Sequence, residues 1–495
     1  MTAFVILAAG RGSRIGRVGE SLHKSLVPLE GKAILSHLFD LAPADANVII
    51  CLGHRGDQIR DYVELAHPDK TVTFANVAGW DQPGGGPGRS LLAAMPYVGD
   101  EDLVFTSCDT LWESDPSLWE ATSSWSGVAP MPVGTSPDRW CRISSHPSGR
   151  VVDILDKTTT FNDVTDAYVG LSFIKAMDLP LFIVGVTTGH YVQGEQQVTG
   201  GLETLTDAGR LCAQRVSWTD VGDADAYRRA VIERQGFDWT KEKEATWLLP
   251  ESGRVVKFWD ASSEADKHYG RHIAVGDGLP GLVAVRDHML SYQYVPGQIG
   301  YNAVTNASQM SQLLEWAMQT VWRPVDVTPD EAMDAAKSFY YDKTMMRISM
   351  LSPELRAMTY DAVSRVDWDS VVGNVQPVRW HGDFNLGNII YGDDGQFYGI
   401  DWRSDFAGRP WGDQRYDLAK LLVGCRINWD HARHGDFGPW PEGKVLETAI
   451  RGRINPSRDV EMIAALTLLN SAPLHATPLD EVLVIQAAKW LEGIE

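Results

Sequence analysis

What most constrains this chain is a rhythm that runs through it twice. From Ala3 to about Arg234, short apolar runs (Phe4–Ala8, Ile34–Leu41, Val48–Leu52, later Leu103–Ser107) alternate with longer amphipathic stretches. That alternation predicts strand–helix–strand units on a mostly parallel sheet. The rhythm lapses at 233–243, Glu-Arg-Gln-Gly-Phe-Asp-Trp-Thr-Lys-Glu-Lys, a polar stretch that reads as a linker. A second cycle then opens: Ala245–Leu249, the turn Pro250-Glu251-Ser252-Gly253 and Arg254–Trp259 predict a β-hairpin, followed by a helix with Ser262 or Ser263 as its N-cap. Farther on, 330–372 reads as largely helical, and 418–424 and 460–469 as buried helices. A chain of 495 residues exceeds what one hydrophobic core usually supports. Two domains are therefore expected, 1–234 and 244–495, joined by a linker at 235–243.

The composition, 44% apolar and 22% charged, is that of an ordinary folded protein. A formal net charge of -21 argues against a nucleic-acid binder, which needs a basic face for backbone phosphates. Any phosphate site must be local, and small molecules are the expected partners. The five cysteines, Cys51, Cys108, Cys141, Cys212 and Cys425, lie far apart and form no C-x-x-C pair, so they read as reduced thiols of a cytoplasmic protein. The first residues lack the basic segment of a signal peptide, and no apolar run approaches the ~20 residues that span a bilayer. Membrane insertion is not expected.

The first apolar run ends in Leu7-Ala8-Ala9-Gly10-Arg11-Gly12-Ser13-Arg14-Ile15-Gly16. Glycines there let the backbone approach a phosphate and aim amide N–H groups at it. The dinucleotide fingerprint is excluded by Ile15, and no G-x-x-x-x-G-K-[S/T] occurs. With the Lys24–Leu29 stretch Lys-Ser-Leu-Val-Pro-Leu and Gly31–Leu35, the segment resembles sugar-phosphate nucleotidyltransferases and phosphocholine cytidylyltransferases. The resemblance implies a doubly wound, Rossmann-like α/β domain in which Ala9, Gly10 and Gly12 bind the nucleotide and Arg14 and Lys24 are catalytic cations. Two further landmarks end apolar runs, Phe105-Thr106-Ser107-Cys108-Asp109 and Trp218-Thr219-Asp220-Val221-Gly222-Asp223. In that family the matching aspartates hold Mg²⁺, which makes Asp109 and Asp220 the expected metal ligands. The chemistry requires such a set, because attack of an acceptor phosphate on the α-phosphorus of an NTP brings anions together. Within Gln82–Leu91, Gly88 and Ser90 occupy the region that reads the base, and Lys157 matches the lysine that binds the acceptor phosphate.

The second half carries Trp380-His381-Gly382-Asp383-Phe384-Asn385-Leu386-Gly387-Asn388, then Phe397-Tyr398-Gly399-Ile400-Asp401-Trp402. Phosphoryl transfer needs a carboxylate to orient the attacking hydroxyl and ligands for the metal that neutralises the phosphates. Asp383 fits the first role, and Asn388 and Asp401 the second. These segments resemble choline kinases and aminoglycoside phosphotransferases, as does Gly412-Asp413-Gln414-Arg415-Tyr416-Asp417-Leu418-Ala419, and imply a bilobal, protein-kinase-like α+β domain. Lys257 on the hairpin is the expected ATP-anchoring lysine and Glu264 its acidic partner. Tyr294, in Ser291-Tyr292-Gln293-Tyr294-Val295-Pro296-Gly297, falls where the family's hinge meets adenine.

A kinase makes R–O–phosphate, and a nucleotidyltransferase consumes it. The order resembles fusions of a phosphocholine cytidylyltransferase with a choline kinase, which implies ATP, CTP and Mg²⁺ as substrates and cofactor and choline as the alcohol. Trp380, Trp402, Trp411 and Tyr416 could cage a quaternary ammonium. The glycine-rich loop at 84–88 looks more like the sugar enzymes, so a sugar, a polyol or ethanolamine stays open. So do an antibiotic phosphotransferase with a degenerate first domain and a non-catalytic nucleotide sensor.

Overall fold

Ala3, Phe4, Val5, Ile6 and Ala8 are wholly buried. A run hidden on both faces belongs in the middle of a sheet covered by helices, and Thr2–Ala8 is an interior strand of a mixed sheet. The structure is a computed structural model that describes residues 2–132, 135–157, 166–188, 191–236, 240–475 and 477–494. Thr2–Ala8 pairs in parallel with Ala46–Leu52 and with Asp102–Ser107, Val5 lying opposite both Ile49 and Phe105. Val72–Asn76 extends the parallel set. Beyond Asp102–Ser107 the direction reverses: Asp166–Ile174 runs antiparallel to it and to Ser124–Ala129 and Cys141–Ser145. The Rossmann-like class implied by the resemblance therefore holds, with an antiparallel half added to the parallel strands that the rhythm predicts. Among the helices of this unit are Ile34–Leu41, Gly56–Ala66, Pro87–Ala94 and Leu179–Thr187, and Phe105 meets Phe182 at 5.7 Å in its core.

Packing divides the chain into Met1–Asp260 and Ala261–Glu495. The expected hairpin forms from Glu244–Leu249 and Arg254–Trp259, Trp247 opposite Val256. It packs with the first unit: the buried Trp247 donates from Nε1 to Leu26 O (3.0 Å) and meets the Tyr62 ring edge-on at 4.7 Å. Ser252 Oγ adds a bond to Ala66 O (2.8 Å). The packing division thus falls after the hairpin, downstream of the polar stretch. Of that stretch, Gln235 ends the helix Ala224–Gln235, Gly236 closes it at φ 80°, and 237–239 lie outside the described residues. The helix after the hairpin is Ser262–Val275, with Ala261 at the N-cap position and no side-chain cap. Neither Ser262 nor Ser263 caps it, because the helix starts one residue earlier than its serines suggest.

The second unit mixes helices with antiparallel strands: Leu282–Val285 pairs with Met289–Gln293, and Gly297–Ile299 joins Ile389–Gly392 and Phe397–Gly399 in a three-stranded sheet. The 330–372 region is helical: Pro329–Ala336, a π-helical turn Lys337–Asp342, Lys343–Ser349, Pro353–Ser364 and Trp368–Gly373. Gln414–Arg426 and Arg458–Ser471 are its buried helices, and their apolar faces join one large core. The five cysteines are free thiols. Among the described residues no helix is long and apolar enough to cross a membrane.

Candidate active sites

The parallel strands deliver the first site at their carboxyl ends, where doubly wound sheets place ligands. Thr2–Ala8 runs into Ala9–Gly12, and Asp102–Ser107 into Asp109. Asp220 arrives from 111 residues away because Trp218–Asp220 pairs antiparallel with Thr110–Trp112, setting Asp220 opposite Thr110. Val221 N then donates to Asp109 O (3.1 Å). A Cβ on Gly222 would lie 3.1 Å from one carboxylate oxygen of each aspartate. The two oxygens are thus no farther apart than twice that distance, and a side chain at 222 would crowd both.

Lys24 Nζ pairs with Asp109 Oδ2 at 2.8 Å, both side chains largely buried. Gly12 makes room: it is left-handed (φ 65°), and a Cβ there would lie 3.0 Å from the Lys24 stem. Burial alone would lower the Lys24 ammonium, but Asp109 holds it well above its ordinary value. Burial alone would raise the Asp109 carboxyl, and Lys24 instead holds it below the usual range. Asp220 is pushed up to about 6, by burial first and then, against the Gly222 N–H bond, by the Asp109 charge. Crowded carboxylates with no third His, Cys, Asp or Glu among the described residues fit a hard divalent cation that takes its remaining ligands from phosphates and water. Asp109 and Asp220 are in place to hold it.

Two adjoining cavities meet at these groups. One, about 560 Å³, is walled by Ala9, Gly10, Gly12, Lys24, Trp80 and Ser90 among others. The other, about 210 Å³, is walled by Trp140, Tyr168, Trp218 and Asp220 among others. Arg14, Asp109, Lys157 and Gly222 line both. Gly88 lines neither; it lies against the backbone of Gln197, where a Cβ would come within 2.8 Å. Lys157 stands at φ 47°, its N–H bound to Trp140 O (3.2 Å). The sequence reading missed Trp80, whose ring carries Arg11 at 5.6 Å, and also Trp140 and Trp218, which meet edge-on at 5.6 Å. A single tryptophan, in a loop or at the start of a short strand such as Trp218–Asp220, gives no sign in sequence that it faces a cavity.

In the second unit, Asp383 is held on two sides. Asn388 Nδ2 donates to its Oδ2 (2.9 Å) and to its backbone O (3.0 Å), and Lys420 Nζ pairs with its Oδ1 at 2.7 Å. Burial would raise the carboxyl, yet Lys420 foremost brings it down to about 2, so it stays ionised. With Nδ2 committed to Asp383, Asn388 offers Oδ1 to a metal. Ile400 N donates to Asn388 O (2.8 Å) across the Ile389–Gly392 and Phe397–Gly399 hairpin, which brings the neighbouring Asp401 alongside. Asp401 sits at φ 55°, a strained setting of the kind found at functional sites. The residues present fit a Mg²⁺ held by Asn388 and Asp401.

The loop is braced by Asp417, which accepts from His381 N (2.8 Å), Gly382 N (2.7 Å) and Trp322 Nε1 (3.0 Å), and by Arg271, which donates to Trp380 O. Trp380 has no exposed surface and is packed by Phe339, Phe406 and Tyr416. Trp402 is buried too, against His268, His272 and Tyr292. Neither ring turns an open face to a ligand, as the expected cage requires. Tyr294 lines a cavity of about 370 Å³ with Gln293, Val295, Pro296 and Asp393. Lys257 lies on the Arg254–Trp259 strand, its Nζ 5.6 Å above the Trp259 ring. Glu264 is in the first turn of Ser262–Val275 and pairs with Lys267 at 2.5 Å. Lys420 and Arg403, both beside Asp383, were not singled out from sequence, since they come from a core helix and a loop with no spacing signal.

Residues 4–132 match the model of the MobA-like NTP transferase domain, and residues 252–440 that of the phosphotransferase enzyme family. Curated relatives include the bifunctional protein GlmU of Methanococcus maripaludis, 23% identical over 44% of this chain and 51% of that protein. The bifunctional protein GlmU of Azoarcus sp. is 32% identical over 33% of this chain and 34% of its own length. The chain thus spans about half or less of these relatives. A solved UDP-glucose pyrophosphorylase complexed with UDP-glucose aligns over 47% of this chain and 98% of that one, at 17% identity and a TM-score of 0.40.

Proposed function

We propose that this chain, which joins an NTP transferase domain to a phosphotransferase-family domain and is a transferase in both halves, works in sequence on one small alcohol. The second domain moves the γ-phosphoryl group of ATP to the alcohol's hydroxyl, and the first couples that phosphate to a nucleotide with release of pyrophosphate. The observation that carries the reading is the pair of cavities meeting at Arg14, Asp109, Lys157 and Gly222. One cavity suits a nucleoside triphosphate under Gly10 and Gly12, the other a phosphorylated acceptor, and the cations lie where the anions must approach. Lys24 and Arg14 offset charge on the leaving pyrophosphate, and Lys157 orients the acceptor phosphate. In the second domain the ionised Asp383 accepts a hydrogen bond from the attacking hydroxyl and takes its proton as the new O–P bond forms. Mg²⁺, when bound by Asp109 and Asp220 or by Asn388 and Asp401, neutralises phosphate oxygens.

For the alcohol we favour a sugar or polyol over choline, because Trp380 and Trp402 are enclosed by other rings. CTP stays the triphosphate implied by the resemblance. The test is to supply ATP, Mg²⁺, each NTP in turn and a panel of sugars, polyols, ethanolamine and choline, and to read phosphorylated and nucleotidylated products by mass spectrometry. A sugar carried through both steps is expected. Choline as the alcohol most efficiently converted would reject the sugar reading, and nucleotidylation of no phosphorylated product would reject the sequence of reactions.

A further inference from the structure

Asp383 has two faces of opposite character. Its Oδ2 faces Asn388, on the metal side, and its Oδ1 faces Lys420. On the Lys420 side more positive charge collects. Arg403 donates from Nε to Gly382 O (3.3 Å), and its guanidinium stands 5.5 Å from the centre of the Phe339 ring and 6.0 Å from that of Tyr416. Lys343 places its ammonium 4.3 Å over the same Phe339 ring, which meets Tyr416 edge-on at 5.0 Å. Arg347 is one helical turn beyond Lys343 on Lys343–Ser349, hence on the same face. Phe339 itself belongs to the π-helical turn Lys337–Asp342, a distortion that recurs at functional sites.

These four basic side chains are poorly matched by the protein. Lys420 has Asp383, and Arg403 shares the neighbourhood of Asp383 and Asp405, the latter also 3.8 Å from Lys267. Among the described residues neither Lys343 nor Arg347 has a carboxylate partner, and the buried Arg347 Nε makes no hydrogen bond. Burial foremost, then Arg403 and Arg347, pushes the Lys343 ammonium down to about 6. Gathering like charges in a half-buried place is costly unless a counter-charge arrives. The phosphates of ATP belong on the other side, with Asn388 and Asp401.

We propose that the alcohol phosphorylated in the second domain is itself an anion, bearing a carboxylate or a phosphate that Lys343, Arg347 and Arg403 receive while its hydroxyl faces Asp383. This rests on the second domain being an alcohol kinase and narrows its acceptor to sugar acids or sugar phosphates. It runs against a quaternary ammonium, which would enter beside the charges of Lys420, Arg403 and Arg347, whereas an anion would also favour the protonated form of Lys343.

The test uses the full chain with glucuronate and gluconate as carboxylate probes, glucose 6-phosphate as the phosphate probe, and glucose, N-acetylglucosamine and choline as neutral and cationic controls. ADP formation gives kcat/KM, and calorimetry without ATP gives binding. At least one anion is expected to exceed the controls by tenfold or more, the better arm telling carboxylate from phosphate. In Arg347→Gln the anion-to-neutral ratio should fall about tenfold, the order of one charge-assisted bond, and Lys343→Met should repeat it should Arg347→Gln fold poorly. Choline or glucose outperforming every anion, no anion binding to the wild type, or a ratio unmoved in both variants overturns the proposal. Anions that bind and lose affinity in the variants while no ADP forms would leave the anion site standing and reject the kinase reading instead.

Discussion

Asp417 shows how a buried carboxylate can hold a catalytic loop in shape. It is wholly buried and accepts three N–H groups, two of them from the residues just before Asp383. Burial lifts it to about 6, the backbone N–H bonds of His381 and Gly382 acting in the opposite direction. Its value in the unfolded chain is near 4, so between about pH 4 and 6 the folded state binds more protons and this group's contribution to stability falls as pH rises. The two-unit difference corresponds to about 3 kcal/mol. Asp417→Asn lacks that titration. Urea unfolding should find the variant's deficit relative to wild type larger at pH 4 than at pH 7 by about 2–3 kcal/mol; an equal deficit at both would show that Asp417 does not titrate there. Asp383 was legible in sequence because it stands at motif spacing, whereas Asp417 was visible only as part of the 412–419 stretch, with no role attached to it. Lys420, Arg403, Lys343 and Arg347 were not legible, since tertiary packing of two helices and a loop, which spacing does not encode, gathers them on one side of the Asp383 loop.

Among the elements, the hairpin of Glu244–Leu249 and Arg254–Trp259 was read at the right residues; the expected boundary at 244 put it at the start of the second domain, whereas the packing division falls after it, at Asp260. Alternation of apolar residues says which face of a strand is covered and not what covers it. The cover here is Tyr62 and Leu26, through Trp247. Trp247→Ala removes a wholly buried ring and a hydrogen bond, and should cost about 3–5 kcal/mol. That cost should appear as a lower midpoint in the denaturation of nucleotidyl transfer, and a midpoint within error of wild type would show that the hairpin is not part of the first unit's core. A smaller effect belongs to the helix Ala224–Gln235. Its N-cap Asp223 accepts from Ala226 N (2.9 Å) and pairs with Arg139 at 2.8 Å. Asp223→Ala should lower stability by about 1 kcal/mol, measurable as a shifted urea midpoint at unchanged slope. This cap was visible as a motif residue, whereas the Ala261 start of the next helix was not, because two serines beside it offered a better cap on paper.

For the molecule as a whole, the proposed sequence links the two reactions through a shared intermediate and assigns each its own carboxylates. Asp383→Asn should abolish ADP formation while pyrophosphate release from a supplied phosphorylated alcohol continues. Asp109→Asn should reverse the pattern, since the loss of one catalytic carboxylate removes electrostatic stabilisation worth about 10²-fold or more. Neither variant alone should carry the unphosphorylated alcohol to the nucleotide-linked product. An equimolar mixture of the two should do so after a lag, because the intermediate made by Asp109→Asn must build up in solution before Asp383→Asn can use it. Mass spectrometry of the time course checks this: product rising after free R–O–phosphate supports two independent sites joined by diffusion. A mixture in which both half-reactions run and no final product forms would mean that the phosphorylated product of the second domain is not the acceptor of the first, and the sequence of reactions argued from the chain order would fall.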